Sequence, residues 1–306
     1  MTSLKVFGHR SPDTDATAAA ILWAWYLSEQ GTPATPYVLG NINTETKFVL
    51  DYWKFDVPAL LSTVSSEDSV VIVDTNNPKE LFENINETQI KQIIDHHKLV
   101  GGIETSAPID ITIRPLASTA SVIYELLGAE AVSQLPNPMA GLMLSCILSD
   151  TLGFRSPTTT DADRHMAQHL AQKLGIDMED YANQMFAAKS DVSAFSAVEL
   201  VKMDSKKYEI GGKNYRISVL ETTTPKVVLD RKSELVSEME MIKGEESLDE
   251  VLLFVIDIFN QEATLLVPNE GVKTVAETSF GVTVDSDTVV LPGIVSRKKQ
   301  IIPALS

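Results

Sequence analysis

Leu4-Lys5-Val6-Phe7-Gly8-His9-Arg10-Ser11-Pro12-Asp13-Thr14-Asp15-Ala16 is the stretch on which the fold turns. Its short apolar run, residues 4–7, reads as a strand, and a polar loop follows. Residues 15–30 are rich in Ala and Leu, with Gly31 just past the end, which reads as a helix. Working outward, residues 35–39, 70–73 and 92–94 repeat the strand signal. Those runs are continuously apolar rather than alternating, which suits strands buried on both faces of a parallel sheet. Strand and helix in alternation predict an α/β fold with a doubly wound N-terminal domain.

Helical patterns then dominate, over residues 120–127, 138–148, 161–174 and 178–187. The polar stretch Lys189-Ser190-Asp191-Val192-Ser193 reads as a boundary. The expected organisation is a first domain over 1–189, a hinge over 190–194 and a smaller mixed α/β domain over 195–306. Residues 215–220, 251–258 and 263–267 read as its strands and 230–242 as a helix.

The 306 residues are 44% hydrophobic and 22% charged, ample for a core. The single cysteine, Cys146, lies in an apolar helical run and reads as a small buried side chain. One cysteine forms no internal disulfide, which fits a reducing compartment. The N-terminus enters a strand pattern at once, without a basic and then apolar leader, and no run approaches about 18 uninterrupted apolar residues. The expectation is a cytoplasmic protein without a membrane partner. A net charge of −17 argues against nucleic acid as a partner. It opposes any anionic substrate too, unless positive charge is concentrated locally, so Arg297-Lys298-Lys299 stands out.

Acids and histidines collect where predicted strands end. His9, Asp13 and Asp15 follow the first strand, Asp74 follows residues 70–73, and Asp95-His96-His97 follow residues 92–94. A long helix ends in Ser149-Asp150. In an open α/β sheet, ligands bind outside the carboxyl ends of the strands. Carboxylates with imidazoles, and no thiolate beside them, suit Mn²⁺, Co²⁺ or Fe²⁺. The donors are too many for one ion and suit two, with Asp74 placed to be shared. Two ions roughly 3.5–4 Å apart can lower the pKa of a shared water and clamp phosphoryl oxygens. Against this, an Asp after a strand is often just a turn or helix-cap residue. His165 and His169 share a helix face, but Met166 stands where a zinc peptidase needs Glu, so they read as a solvated face.

Four segments in order, residues 8–16, 73–74, 95–97 and 149–151, resemble the motifs of the DHH phosphoesterase superfamily. Ser296-Arg297-Lys298-Lys299-Gln300 resembles the signature of one branch, the family II inorganic pyrophosphatases. The resemblance spans nearly the whole chain. It implies a manganese-dependent homodimer, two Mn²⁺ per subunit with Co²⁺ possible, hydrolysing pyrophosphate that arrives with Mg²⁺. It places one metal on His9, Asp13 and Asp74, and the other on Asp15, Asp74, His96 and Asp150. His97 becomes a neighbour of substrate or nucleophile, a hydroxide bridging the metals. Arg297 and Lys298, on a lid domain, grip pyrophosphate. An Asp-x-Lys-x-aromatic pattern, Asp204-Ser205-Lys206-Lys207-Tyr208, points to Lys206, with Lys207 as the neighbouring alternative.

Charge adds a separate point. Four ionised carboxylates and two divalent ions nearly cancel, so Arg297, Lys298, Lys206 and Mg²⁺ must supply the attraction for substrate. Alternatives are an exopolyphosphatase, a phosphodiesterase of short oligonucleotides or cyclic dinucleotides, or a non-catalytic phosphate or metal sensor. The nuclease-like branch carries a glycine-rich C-terminal motif with a histidine, and here no histidine follows His169.

Overall fold

The computed structural model describes residues 3–305. The chain divides into two compact units, residues 1–189 and 190–306. In the first, strands β1 (Leu4–Phe7), β2 (Ala34–Val38), β3 (Ala59–Leu60), β4 (Ser69–Val73), β5 (Gln89–Asp95) and β6 (Asp110–Ile113) form one sheet in the order β3-β2-β1-β4-β5-β6. All its pairings are parallel. The strand order reverses direction between β1 and β4, which makes that junction the topological switch point. β4 is apolar at every position after Ser69 and buried there, as expected for a strand covered on both faces.

The helices of this unit are α1 (Thr14–Glu29), α2 (Thr44–Trp53), α3 (Thr119–Leu127), α4 (Ala129–Ser133), α5 (Asn137–Asp150), α6 (Asp161–Leu174) and α7 (Met178–Lys189). α1 is buried continuously from Thr14 to Ala24, and α5 from Met139 to Ser149. A helix buried all round is an interior helix, and alanine and glycine let neighbours approach. A Cβ on Gly141 of α5 would lie 2.2 Å from Trp53 Cδ2. Trp53 in turn donates its indole N–H to Tyr181 Oη at 2.7 Å, which ties α2 to α7.

The second unit contains α8 (Ala197–Lys202), β7 (Ser205–Ile210), β8 (Lys213–Thr222), α9 (Pro225–Leu229), α10 (Lys232–Glu245), β9 (Glu250–Asp257), β10 (Glu262–Leu266), α11 (Glu270–Phe280), β11 (Thr288–Pro292), a π-helical turn Arg297–Ile301 and α12 (Ile302–Leu305). Its sheet runs β11-β10-β9-β8-β7, with β8 and β9 parallel and the other pairs antiparallel. One face packs on Val272, Val275 and Ile301, the other on Leu200, Leu235 and Met239.

Several elements differ from the sequence expectation. The helix expected over 230–242 is α10, shifted to 232–245; the short α9 before it was not anticipated, and between the two Arg231 donates to the carbonyls of Val192 and Phe195. β6, β7, β11, α2 and α11 were not anticipated. β6 and β7 are short or polar edge strands, whose periodicity is weak. Among the described residues no helix is long and apolar enough to cross a membrane.

Candidate metal centre

Gly8 lets the end of β1 run against the first turn of α1: a Cβ there would meet Ala16 Cβ at 2.7 Å. That close approach brings His9, Asp13 and Asp15 to one edge. Asp13 caps α1, its Oδ1 accepting from Ala16 N at 3.0 Å, so the cap reading of this residue holds. Its other oxygen, Oδ2, lies 3.7 Å from His9 Nε2. One carboxylate thus serves both the helix and the site.

Asp74 follows β4 with φ at 60°, in the left-handed region. Its backbone N–H still extends the sheet, donating to Ile94 O at 2.9 Å. The turn aims a buried carboxylate across the switch point. Oδ2 lies 3.4 Å from His9 Nε2, and Oδ1 lies 3.3 Å from His96 Nε2. Asp74 therefore stands between two sets of donors. His9, Asp13 and Asp74 form one set, and Asp15, His96 and Asp150 another, each with ligand atoms within 4.8 Å of one another. Asp74, His96 and His97 also meet that spacing.

The remaining partners orient these side chains. His96 Nδ1 sits 3.1 Å from Leu116 O. A carbonyl can only accept, so Nδ1 carries a hydrogen, and Nε2, which faces the carboxylates, is the nitrogen that would bind an ion once it loses its own proton. The start of α3 holds Asp15, whose Oδ2 accepts from Thr119 N at 2.5 Å and Oδ1 from Ala120 N at 3.1 Å. The Thr119 hydroxyl donates to Asp74 Oδ1 at 3.0 Å. Asp95 Oδ1 accepts from the backbone of His96 and His97 and from His97 Nδ1 at 2.9 Å, while Asn76 Nδ2 donates to its Oδ2 at 2.6 Å. His97 is half exposed, so its Nε2 edge is open to a bound molecule. Thr119 and Asn76 escaped the sequence reading. Ser118-Thr119 ahead of an apolar run carried the helix-start signal that could have located the former.

Electrostatics mark the cluster as a cation site. Burial disfavours charge on His9, but the carboxylates of Asp13 and Asp74 outweigh it and push its pKa from 6.5 up to about 10. Burial likewise opposes His96, yet Asp74 and Asp15 lift it to about 9. Burial first, and then the Asp74 charge, raise Asp15 to about 7. Asp150 is raised well above its usual value by burial and by Asp15 and Asp74. Asp74 is buried too, but His9 and His96 hold it well below the usual carboxylate range. Four carboxylates crowd together with two protonated imidazoles as their countercharge. Divalent cations fit that donor set of hard oxygens and imidazoles. Cys146 lies nearby, fully buried, and its thiol is pushed up by burial, so it is a packed side chain rather than a thiolate ligand.

The basic residues lie in the second unit. Arg297 forks onto Asp204, with Nη2 2.7 Å from Oδ1 and Nη1 2.8 Å from the backbone oxygen. Its Nε is buried without a hydrogen-bond partner. Lys298 is exposed. Lys206 pairs with Ile217 across β7 and β8, which places it on the face that packs against Ile301 at the end of the Arg297–Ile301 turn. Lys207 points to the opposite face, where its Nζ lies 3.0 Å from Glu246. Of the two helix histidines, His165 is exposed. His169 is not simply solvated: its Nδ1 lies 2.5 Å from Tyr124 Oη, a structural contact between α6 and α3.

The DHH family N-terminal domain matches residues 3–147, and the DHHA2 domain matches residues 183–306. The chain is 36% identical over 308 residues to the manganese-dependent inorganic pyrophosphatase of Bacillus subtilis, covering 100% of this chain and 98% of the relative. The chain belongs to the manganese-dependent inorganic pyrophosphatase family. A Deinococcus radiodurans relative, named a probable member, is 40% identical across 99% of this chain and 97% of its own. Among solved structures, a Methanococcus jannaschii protein provisionally named a family II inorganic pyrophosphatase aligns with a TM-score of 0.62 at 35% identity, over 99% of this chain and 98% of its own. An exopolyphosphatase-related protein from Bacteroides fragilis aligns over 99% of this chain and 91% of its own at a TM-score of 0.51 and 16% identity, a likeness of fold alone. The family resemblance and the α/β fold class are thus both upheld. The manganese in the relatives' names agrees with the oxygen and imidazole donors gathered around Asp74.

Proposed function

We propose that this chain hydrolyses inorganic pyrophosphate to two phosphates, with two divalent ions per subunit held around Asp74. The observation that carries the reading is the pair of donor sets meeting at one buried carboxylate on the switch point. His9, Asp13 and Asp74 would hold one Mn²⁺, and Asp15, Asp74, His96 and Asp150 the other, with Co²⁺ as a possible substitute. Such an ion pair supplies Lewis acidity toward phosphoryl oxygen and makes water acidic enough to ionise near neutral pH.

The chain's own residues do the rest. Leu116 O and Thr119 fix the orientation of His96, Asp15 and Asp74, so the donors are set before any ion or substrate arrives. Asp95 grips His97 at Nδ1, leaving Nε2 to hydrogen-bond a phosphoryl oxygen or the attacking water. Lys206 and Lys298 are solvent-facing cations that neutralise charge growing on the leaving phosphate, with Mg²⁺ accompanying the substrate. Arg297 contributes through its fork after exchanging the Asp204 carboxylate for a phosphate. Lys206 is preferred over Lys207 because Glu246 already holds Lys207. In this reading residues 1–189 carry the metals, 190–194 act as a hinge and 195–306 form the substrate-binding lid of a cytoplasmic homodimer.

The test is metal-depleted protein re-supplied with Mn²⁺, Mg²⁺ or Zn²⁺ and assayed for phosphate release from pyrophosphate, tripolyphosphate and a dinucleotide. Mn²⁺ should restore turnover of pyrophosphate above the other two substrates, and Asp74→Asn should lose both bound metal and rate. Wild-type metal content and activity in Asp74→Asn would sink the two-metal reading.

A further inference from the structure

Behind the metal centre lies a buried carboxylate that none of the proposed steps uses. Glu45 sits in the first turn of α2 and is fully buried. One of its oxygens, Oε1, accepts the hydroxyl of Thr14 at 2.7 Å and also the hydroxyl of Ser149. Thr14 is flanked by Asp13 and Asp15, and Ser149 precedes Asp150. A single atom thus clamps two segments, remote in sequence, that carry three of the six proposed ligands. The other oxygen, Oε2, has no hydrogen-bond donor of good geometry and faces Lys189 Nζ at 3.3 Å. Lys189 is the last residue of α7 and of the first unit. The next residue, Ser190, is anchored inside the second unit, its Oγ 3.0 Å from Thr223 Oγ1.

We infer that Glu45 is a positioning residue that sets the spacing between the capped start of α1, residues 13–15, and Asp150, and that Lys189 ties that setting to the boundary between the two units. The inference rests on the metal reading proposed above. Removing this shared acceptor leaves the Ser149 hydroxyl unsatisfied and the Thr14 hydroxyl with only Thr46 Oγ1 at 3.3 Å, so the segments relax apart rather than merely losing a contact. Partners that orient metal ligands typically change affinity by about 10–100-fold when lost. Lys189 offers charge rather than a well-formed hydrogen bond, so its removal has the smaller effect.

The experiment titrates Mn²⁺ into metal-free wild type, Glu45→Ala, Glu45→Gln, Lys189→Met and Lys189→Arg, and records the unfolding midpoint of each metal-free protein. Ile90→Ala serves as control. It removes core at the start of β5, at the opposite edge of the sheet, and so lowers stability without touching Glu45. Glu45→Ala should weaken Mn²⁺ binding about 10–100-fold. Glu45→Gln keeps an acceptor for both hydroxyls but loses the charge, and should weaken it several-fold. Lys189→Met should match Glu45→Gln, the double variant should be no weaker than either, and Lys189→Arg should restore wild-type affinity. If Glu45→Ala does not fold, Glu45→Gln and the Lys189 pair carry the decision. Wild-type affinity in the Glu45 variants, or an equal loss in Ile90→Ala, overturns this inference alone. A wild-type protein that takes up no Mn²⁺ overturns the metal reading and this inference together.

Discussion

Filling the site with manganese must expel protons, and the structure says how many. In the metal-free protein His9 is raised to about 10, His96 to about 9 and Asp15 to about 7. All three must be deprotonated to act as ligands. At pH 7 both imidazoles are therefore protonated and Asp15 is about half so, and full occupancy releases about 2.5 protons, with Asp150 adding to that count. The pH dependence follows. Raising pH from 6 to 8 should raise the product of the two association constants by at least about 10⁵-fold, two decades from each imidazole and one from Asp15, with any proton held by Asp150 adding to it. The sign is fixed by the shifts themselves: groups whose pKa values are raised hold protons that compete with the ion, so affinity falls as pH falls. Calorimetric titration of Mn²⁺ into metal-free protein, in two buffers of different ionisation enthalpy, counts the protons directly. Release of fewer than about one proton at full occupancy and pH 7 would refute the assignment of both histidines as ligands.

Two further outcomes concern the second unit and the core. Lys206→Ala should raise KM for pyrophosphate about tenfold or more, whereas Lys207→Ala, which loses its partner Glu246 on the other face, should leave KM within about twofold; steady-state kinetics on both variants decides it, and the reverse ranking would reassign the substrate lysine. Gly141→Ala should destabilise the protein by about 3 kcal/mol, because the new Cβ would lie 2.2 Å from the Trp53 ring. The melting temperature should fall by on the order of 10 °C, and an unchanged melt would mean that α2 yields without cost.

The donors of the metal centre were legible because each follows a strong local signal. β1, β4 and β5 each finish on apolar residues with an Asp or His at the strand end or within two positions after it, and a parallel sheet sends all such ends to one edge. Residues that act through hydrogen bonds were not legible. Thr119 and Glu45 have side chains that are ordinary on any helix, and their roles arise from contacts with residues about 30 to 105 positions away. The second unit was read only in part. Its long apolar strands β8 and β9 were visible, while β7 is polar at most positions because it is an edge with one exposed face. The helix expected over 230–242 is present as α10, but it starts only at Lys232, because Arg231 just outside it bonds the carbonyls of Val192 and Phe195.

The left-handed backbone at Asp74 places a second filter on that position. Chemistry there calls for a carboxylate, and geometry calls for a residue that tolerates positive φ, a set led by Gly, Asn and Asp. Aspartate alone satisfies both. Glutamate keeps the charge but sits badly on the backbone; asparagine and glycine fit the backbone but give up the charge. A single-step drift away from Asp74 therefore has nowhere neutral to go, and any lineage that loses this residue should be expected to lose the whole metal centre rather than to rebuild it with a substitute.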